Sequence, residues 1–341
     1  MLPTAASTSP GPSSPAPRWM LDWPTAHPRP SGDWTAVGSR GWARLEPESG
    51  HVVRADPAQD RELPALPGAL RRGDLVGYRV GRRAVVASSG GFVKVLRPNR
   101  AGRLVAIHRA LAAASSGALA FPRADAASED GAVDLTVVPG RSLHDLLRSG
   151  PDVGVLADAA AALAALHAIR PPALLRPGAP DTAARWVGIV ARAEPGAAQA
   201  IAPMAAAIDA AVTAATTRPP GGGAVIVHGD CHDKNLFLTR AGPGFIDLDG
   251  VRLGLREDDV ANLAVHVALR ALQAGASMEV AVTRRAAVID AYRRSAPLDD
   301  AVLVALERAV WFRLACLYRF RSRGRPLVST LLERARGTTD A

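Results

Sequence analysis

At 341 residues, 48% apolar and 21% charged, the chain is long enough for one or two domains and too apolar for global disorder. Its net charge of +9 would suit a nucleic-acid partner, but lysine occurs only at Lys94 and Lys234 among 41 basic residues, the mark of GC-rich coding; with 4% aromatics and no nucleic-acid-binding motif, none is expected. Cys231 and Cys316 supply neither a disulfide framework nor a zinc spacing, and no run of about 18 uninterrupted apolar residues marks a membrane span, so a cytoplasmic protein without membrane contact is expected.

Residues 1–33 read as a Ser/Pro-rich disordered tail without a basic residue ahead of an apolar block, hence not a secretory signal. The pattern then turns β-rich. GWARLE and HVVRA read as short strands; DLVGYR, RAVVAS and FVKVLRP alternate between glycine-bounded turns, as hairpins do. A helix is predicted over 101–115, with Leu104, Ile107 and Leu111 on one face. AVDLTVVPG is a further strand broken at Pro139-Gly140, and Ser142 is placed to cap a short helix with Asp145 three residues on. From Asp152 the chain becomes helical, with breaks near Pro195 and over Pro219–Gly223. Short strands return at VIVHG, NLFLT and FIDLD, the turn Arg240–Gly244 folding the last two into a hairpin. Helices follow from Asp258 to Arg336. The expected organisation is a tail over 1–33, a β-rich N-lobe over 34–138 and a helical C-lobe over 139–337.

The segment His228-Gly229-Asp230-Cys231-His232-Asp233-Lys234-Asn235 concentrates polar and ionisable groups in a loop between two apolar strands. Twelve residues after Asn235 comes Asp247, at a strand end that the hairpin brings near Asn235. One carboxylate and one amide oxygen make a poor metal cage but a good partial shell for Mg²⁺, which takes its other ligands from water and phosphate oxygens. Asp230, five residues before the amide, is placed to orient a hydroxyl and accept its proton during attack on phosphorus. The pattern is that of phosphoryl transfer. Lys94 lies centrally in Phe92-Val93-Lys94-Val95-Leu96, where a compact cation on a thin stem would reach the α- and β-phosphates of a nucleotide.

These residues resemble the aminoglycoside phosphotransferase/choline kinase family of protein-kinase-like small-molecule kinases. HGDCHDKN is similar to the family's H-G-D-x-H-x-x-N loop, FIDLD to its I-D-F-D metal strand, Asp259 to Leu263 to the D-L-A helix start, and LAALHAI to the L-x-x-L-H helix end. The resemblance spans roughly Asp74 to Leu263. It implies an α+β bilobal protein-kinase-like fold, ATP and Mg²⁺ as cofactors, Asp230 as catalytic base, Asn235 and Asp247 as Mg²⁺ ligands, and Asp259 as a brace accepting backbone N–H groups of the catalytic loop. His228 and His232 are expected to support that loop through hydrogen bonds to Asp247 or to backbone. It also implies that the turn Val80-Gly81-Arg82-Arg83 covers the triphosphate, with Gly81 and Arg82 at the phosphates, although Gly81 equally suits an ordinary hairpin turn. Thr136 to Gly140, including Val138, would be the hinge that meets adenine.

The chain departs from the family in the helix after Lys94. The family carries a glutamate there to pair with the lysine, whereas no Asp or Glu occurs between Lys94 and Asp125, and His108 stands where an acid is expected. Two readings follow: a kinase transferring phosphate to the hydroxyl of a small molecule, or a nucleotide-binding pseudokinase or regulatory module without turnover. The arginines from Arg308 to Arg325 argue mildly for a neutral or anionic acceptor, against the alternative of a solvated helix face. Monomer and dimer stay equally open.

Overall fold

Apolar residues that alternate between glycine-bounded turns make the first half of the chain antiparallel β; alanine- and leucine-rich periodic runs make the second half helical. The computed structural model describes residues 16–30, 32–150, 153–217, 223–240 and 242–337. In chain order its elements are β1 (Thr25–His27), β2 (Trp34–Gly38), β3 (Gly41–Leu45), β4 (Val52–Arg54), α1 (Leu66–Leu70), β5 (Gly73–Arg79), β6 (Arg83–Ser88), β7 (Gly91–Leu96), α2 (Pro98–Ala114), β8 (Ala124–Ala127), β9 (Ala132–Leu135), β10 (Arg141–Ser142), α3 (Leu143–Arg148), α4 (Val153–Ala168), α5 (Ala183–Ala191), α6 (Pro195–Thr216), β11 (Val225–Val227), β12 (Leu236–Thr239), β13 (Gly242–Phe245), β14 (Arg252–Gly254), α7 (Arg256–Gln273), α8 (Met278–Arg293), α9 (Asp300–Tyr318) and α10 (Val328–Arg336). An antiparallel sheet followed by a helical region is the α+β kinase-like class expected.

Two compact units form. The larger runs from Ala55 to Thr182 and from Ile208 to Val310. Its five-stranded antiparallel sheet has the order β5-β6-β7-β9-β8. Helix α2 seals one face of it, burying Ala101, Leu104 and Val105 with Leu96, Ala124 and Val133. The helical part carries two small sheets, β10-β12-β13 and β11-β14. Helix α7 is buried along most of its length, including the polar side chains of Glu257, Asp259, Asn262 and His266. Ser142 caps α3: its Oγ accepts the Asp145 N–H at 3.1 Å and donates to the Asp145 carboxylate at 2.6 Å.

The smaller unit joins the chain up to Arg54, Ala183–Ala207, and the chain from Trp311 on. Its sheet is the meander β1-β2-β3-β4. Edge strand β1 is tied to the C-terminal segment, Ala26 N–H donating to the Phe320 carbonyl at 2.8 Å and Ser322 N–H to the Pro24 carbonyl at 2.7 Å. Trp34 is fully buried and packs edge-on against Phe320, the ring centroids 4.7 Å apart.

Two expectations need correction. The tail does not reach residue 33: a 3-10 turn over Arg18–Leu21 buries Trp19 and Met20, and β1 pairs with β2, because Trp19 and Trp23 give this stretch apolar surface to bury. Residues 1–15 lie outside the described residues. The strands over 34–54 are not part of the nucleotide sheet but form the meander of the smaller unit, so the boundary at 138/139 does not separate two units. Among the described residues one helix, α6, is long and apolar enough by length and composition alone to cross a membrane; Gln199 and Asp209 interrupt it, so it is not an unbroken apolar run.

Candidate functional site

The loop expected to be catalytic spans 228–235, between β11 and β12. β11 pairs with β14 rather than with β12, so the loop bridges two sheets and is anchored at both ends. Asp259, at the start of α7, is its main brace. Its Oδ2 accepts the His228 N–H at 2.5 Å and its Oδ1 the Gly229 N–H at 2.9 Å. Burial would raise the Asp259 pKa, but the hydrogen bond and charge of His167, with His228 and its N–H, hold it below the usual carboxylate range. His167 therefore does more than pack: its Nε2 meets Asp259 at 3.3 Å and its Nδ1 the Tyr292 hydroxyl at 2.6 Å. His228 donates from Nε2 to the Ile246 carbonyl at 2.8 Å and accepts the Asp230 N–H at Nδ1, 3.3 Å away. It thus pins the loop to the strand leading into Asp247 through backbone, without bonding the Asp247 carboxylate.

Asn235 is buried, and its Nδ2 donates to the Asp230 carbonyl at 3.1 Å. That use of the nitrogen leaves Oδ1 as the atom suited to a cation. The Ile246 N–H donates to the Asn235 carbonyl at 3.0 Å, continuing the β12–β13 ladder in which Leu236 faces Phe245. Asn235 and Asp247 are so brought to the same end of one hairpin, as expected. The turn is tighter than Arg240–Gly244, since Gly242–Phe245 is strand. Asp247 follows with φ 57° and ψ 55°, a left-handed backbone that non-glycine residues adopt at some cost. The side chain of Asp230 is half exposed, its Oδ2 lying 3.8 Å from His232 Nε2.

Lys94, on β7, is 4% exposed. Its Nζ donates to Asp247 Oδ1 at 2.8 Å and to Asp249 Oδ1 at 2.5 Å. Burial would raise the Asp247 pKa; the charges of Lys94 and Arg83 outweigh it and drive it far below the usual range, so the group is anionic at any physiological pH. His108 does not hold the lysine. Its Nδ1 meets the Pro122 carbonyl at 2.6 Å, and burial lowers its pKa, so it is a neutral core residue that ties α2 to the approach to β8.

The phosphate turn departs from expectation. Gly81 does adopt φ 64°, but its N–H donates to Asp60 Oδ2 at 2.7 Å, and the Tyr78 hydroxyl donates to the same oxygen. The Arg82 N–H closes the turn on the Arg79 carbonyl at 2.9 Å, and its side chain is exposed. The cation that reaches the acids is Arg83, with Nη1 at 2.7 Å from Asp249 and 3.3 Å from Asp247. Sequence reasoning missed Arg83 and Asp249. The signal for Arg83 was strand parity: Val85 faces Lys94 across β6 and β7, so Arg83, two residues earlier, shares the lysine's face. Val138 is buried, its methyls where a side chain on Gly244 would fall.

Asp233 was also missed. It is fully buried, and its Oδ2 accepts from Arg270 Nε at 2.6 Å and from His144 Nδ1 at 2.7 Å. Burial would raise its pKa, but Arg270 and His144 hold it down. This pair ties the far half of the loop to α7 and α3, while the His232 ring stacks on His266 at 5.0 Å. Burial pushes the Cys231 thiol well up, which removes it from chemistry.

Among the described residues no group of three or more His, Cys, Asp or Glu side chains could hold a metal ion unaided. An amide and an anionic carboxylate at one hairpin end suit Mg²⁺ that arrives with phosphate oxygens. Of the solved structures similar to this chain, amicoumacin kinase hAmiN, in complex with AMP-PNP, Ca²⁺ and Ami, has a TM-score of 0.57 at 11% identity over 81% of this chain and 93% of that one. A choline/ethanolamine kinase family protein from Mesorhizobium loti has 0.55 at 14% identity over 84% and 94%. The gentamicin complex of APH(2")-IIa has 0.51 at 14% over 84% and 98%. At these identities the likeness shows the fold. By sequence, no curated protein matches the chain. The model of the phosphotransferase enzyme family matches residues 81–298, more than half of the chain and every site residue described above except Asp60 and Tyr78, and the chain belongs to that family.

Proposed function

We propose that the protein is an ATP- and Mg²⁺-dependent kinase that moves the γ-phosphoryl group to a hydroxyl of a small molecule. The observation that carries this reading is the convergence of Lys94 on Asp247 at 2.8 Å, with Asn235 laddered to the residue before Asp247. The cation is placed for α- and β-phosphates, and the amide and carboxylate for the metal. Bound Mg²⁺ would neutralise charge building on the diphosphate leaving group. Asp230, held by its backbone while its carboxylate faces solvent, orients the acceptor hydroxyl and takes its proton as the oxygen attacks phosphorus. Phe92, two residues before Lys94 on the same face, lines a cavity of about 460 Å³ with Leu135, Thr136 and the charged Arg72, Arg123, Asp125 and Asp134, next to the expected hinge.

The pseudokinase reading drew on the lack of an acid in α2 and on the thin glycine turn. Asp247 and Asp249 supply Lys94 with opposite charge from another element, which answers the first motive, while the Gly81 N–H is bonded to Asp60. Of the arginines in the last helices, Arg319 and Arg325 are paired with Glu194 within the smaller unit.

A screen of ATP consumption over sugars, amino alcohols and antibiotics tests the reading. With an acceptor found, Asp230→Ala should lower kcat by about 10²- to 10⁴-fold and leave ATP affinity within about twofold. Undiminished turnover in that variant would remove Asp230 from the chemistry.

A further inference from the structure

The turn that should cradle the triphosphate is committed elsewhere. The Gly81 N–H is given to a carboxylate, Asp60, and its carbonyl accepts Arg97 Nε at 2.8 Å. A backbone amide already bonded to an anion is a poor phosphate ligand, since the phosphate would displace one negative group to sit beside it. The site nonetheless contains a second cation. Arg83 leaves β6 on the face of Lys94, and the two cations converge on a single atom: Arg83 Nη1 and Lys94 Nζ lie 3.3 Å and 2.8 Å from Asp247 Oδ1. Each also bonds its own oxygen of Asp249, Arg83 to Oδ2 at 2.7 Å and Lys94 to Oδ1 at 2.5 Å. Asp249 therefore bridges the cations, and α2 contributes no acid to either.

We propose that Arg83 is a phosphate-binding residue of the nucleotide site, standing in for turn amides that Asp60 occupies, and that Asp249 is the anionic placeholder which Arg83 and Lys94 grip until a polyphosphate replaces it. The proposal rests on the kinase reading above for the identity of the ligand. Its physical content is a competition. The guanidinium fork can hold one carboxylate or two phosphate oxygens with the same donors. Binding of the anion must therefore break the Arg83–Asp249 pair, and each partner's removal acts with opposite sign.

Equilibrium binding of ATP, ADP and adenosine to the full chain, with EDTA present so that the metal ligands play no part, provides the test. Arg83→Ala should weaken ATP about tenfold or more and ADP less, leaving adenosine unchanged; Arg83→Lys should fall between Arg83→Ala and the native chain. Asp249→Asn, which keeps the shape and removes the competing charge, should tighten metal-free ATP several-fold. Circular dichroism melts confirm that each variant is folded. If Arg83→Ala binds ATP as the native chain does, or more tightly, Arg83 is a structural plug on the acids and the proposal fails. Weaker ATP binding by Asp249→Asn would likewise overturn the placeholder role. Absence of ATP binding by the native chain with Mg²⁺ added in place of EDTA would instead overturn the kinase reading.

Discussion

His108 shows how one side chain can leave a family's pattern and still serve the fold. It stands on α2 where an acid would face Lys94, yet it turns to the Pro122 carbonyl and is held neutral, by burial first and by the nearby Lys94 charge as well. Its folded pKa lies below the ordinary value of about 6.5. As pH falls through about 6.5, the unfolded chain takes up a proton that the folded chain refuses, so stability is greatest above this range and is lost towards the folded pKa. His108→Ala should cost about 2–3 kcal/mol at pH 7.5, for a lost buried hydrogen bond and the space left behind. It should also flatten the decline of stability between pH 7 and pH 5. Denaturant unfolding followed by circular dichroism at several pH values reads both effects. A slope equal to that of the native chain would show that His108 does not titrate across folding.

The loop over 228–235 holds together as an element because short bonds fix its backbone while Asp230 keeps a half-exposed carboxylate. Gly229 makes the geometry possible. Its φ is 78°, and a Cβ there would fall 2.2 Å from Arg252 Nη1 and 2.5 Å from the Gly250 carbonyl oxygen. Arg252 is itself held by the Asp258 carboxylate, and Gly250 lies in the 3-10 turn over Leu248–Gly250 that the Val251 N–H closes on the Leu248 carbonyl, so neither yields cheaply. Gly229→Ala should lose about 1–3 kcal/mol and lower kcat by roughly 10- to 100-fold by moving Asp230. Unfolding curves and turnover of the variant check this; native stability together with native kcat would show that the loop tolerates the side chain. Much of this element was legible in the sequence, because its chemistry is local: base and amide lie five residues apart between two apolar strands, and the hairpin brings in Asp247. The charges closing the site were not. Arg83 and Asp249 are 166 positions apart, and the Asp233 bond to Arg270 joins residues 37 apart, so no short-range periodicity marks either pair. The Gly81 turn misled for the same reason: its glycine conformation is local and was readable, but the Asp60 carboxylate that takes its N–H comes from 21 residues away.

For the molecule as a whole, the hardest feature to read was the smaller unit. It is assembled from three separated pieces of chain, and almost all of it lies outside the span matched by the family model apart from Ala183–Ala207. Of its four strands only β3 and β4 were read, as GWARLE and HVVRA; β1 fell in the expected tail, β2 was not read, and the segment that ties edge strand β1 comes from near the other end of the sequence. The arginines that resembled a solvated helix face are partly internal: Glu194, 8% exposed, accepts from Arg319 at 2.7 Å and 2.9 Å through Oε2 and from Arg325 at 3.0 Å through Oε1. Removing one member of a buried ionic cluster costs far more than replacing the whole cluster with apolar groups, since the charge left behind stays out of water. Glu194→Gln keeps the shape and removes the carboxylate that both arginines share, so it should destabilise this unit by about 3–5 kcal/mol. The composition provides a selective probe. All six tryptophans (Trp19, Trp23, Trp34, Trp42, Trp186 and Trp311) fall in the smaller unit, and the larger unit has none. Tryptophan fluorescence during urea unfolding therefore follows the smaller unit by itself. Its midpoint should move to lower urea in Glu194→Gln with an unchanged slope, as for a loss of stability without a change in the surface exposed. A midpoint that did not move would mean that water or other groups already neutralise the arginines, and that Glu194 does not hold the unit together.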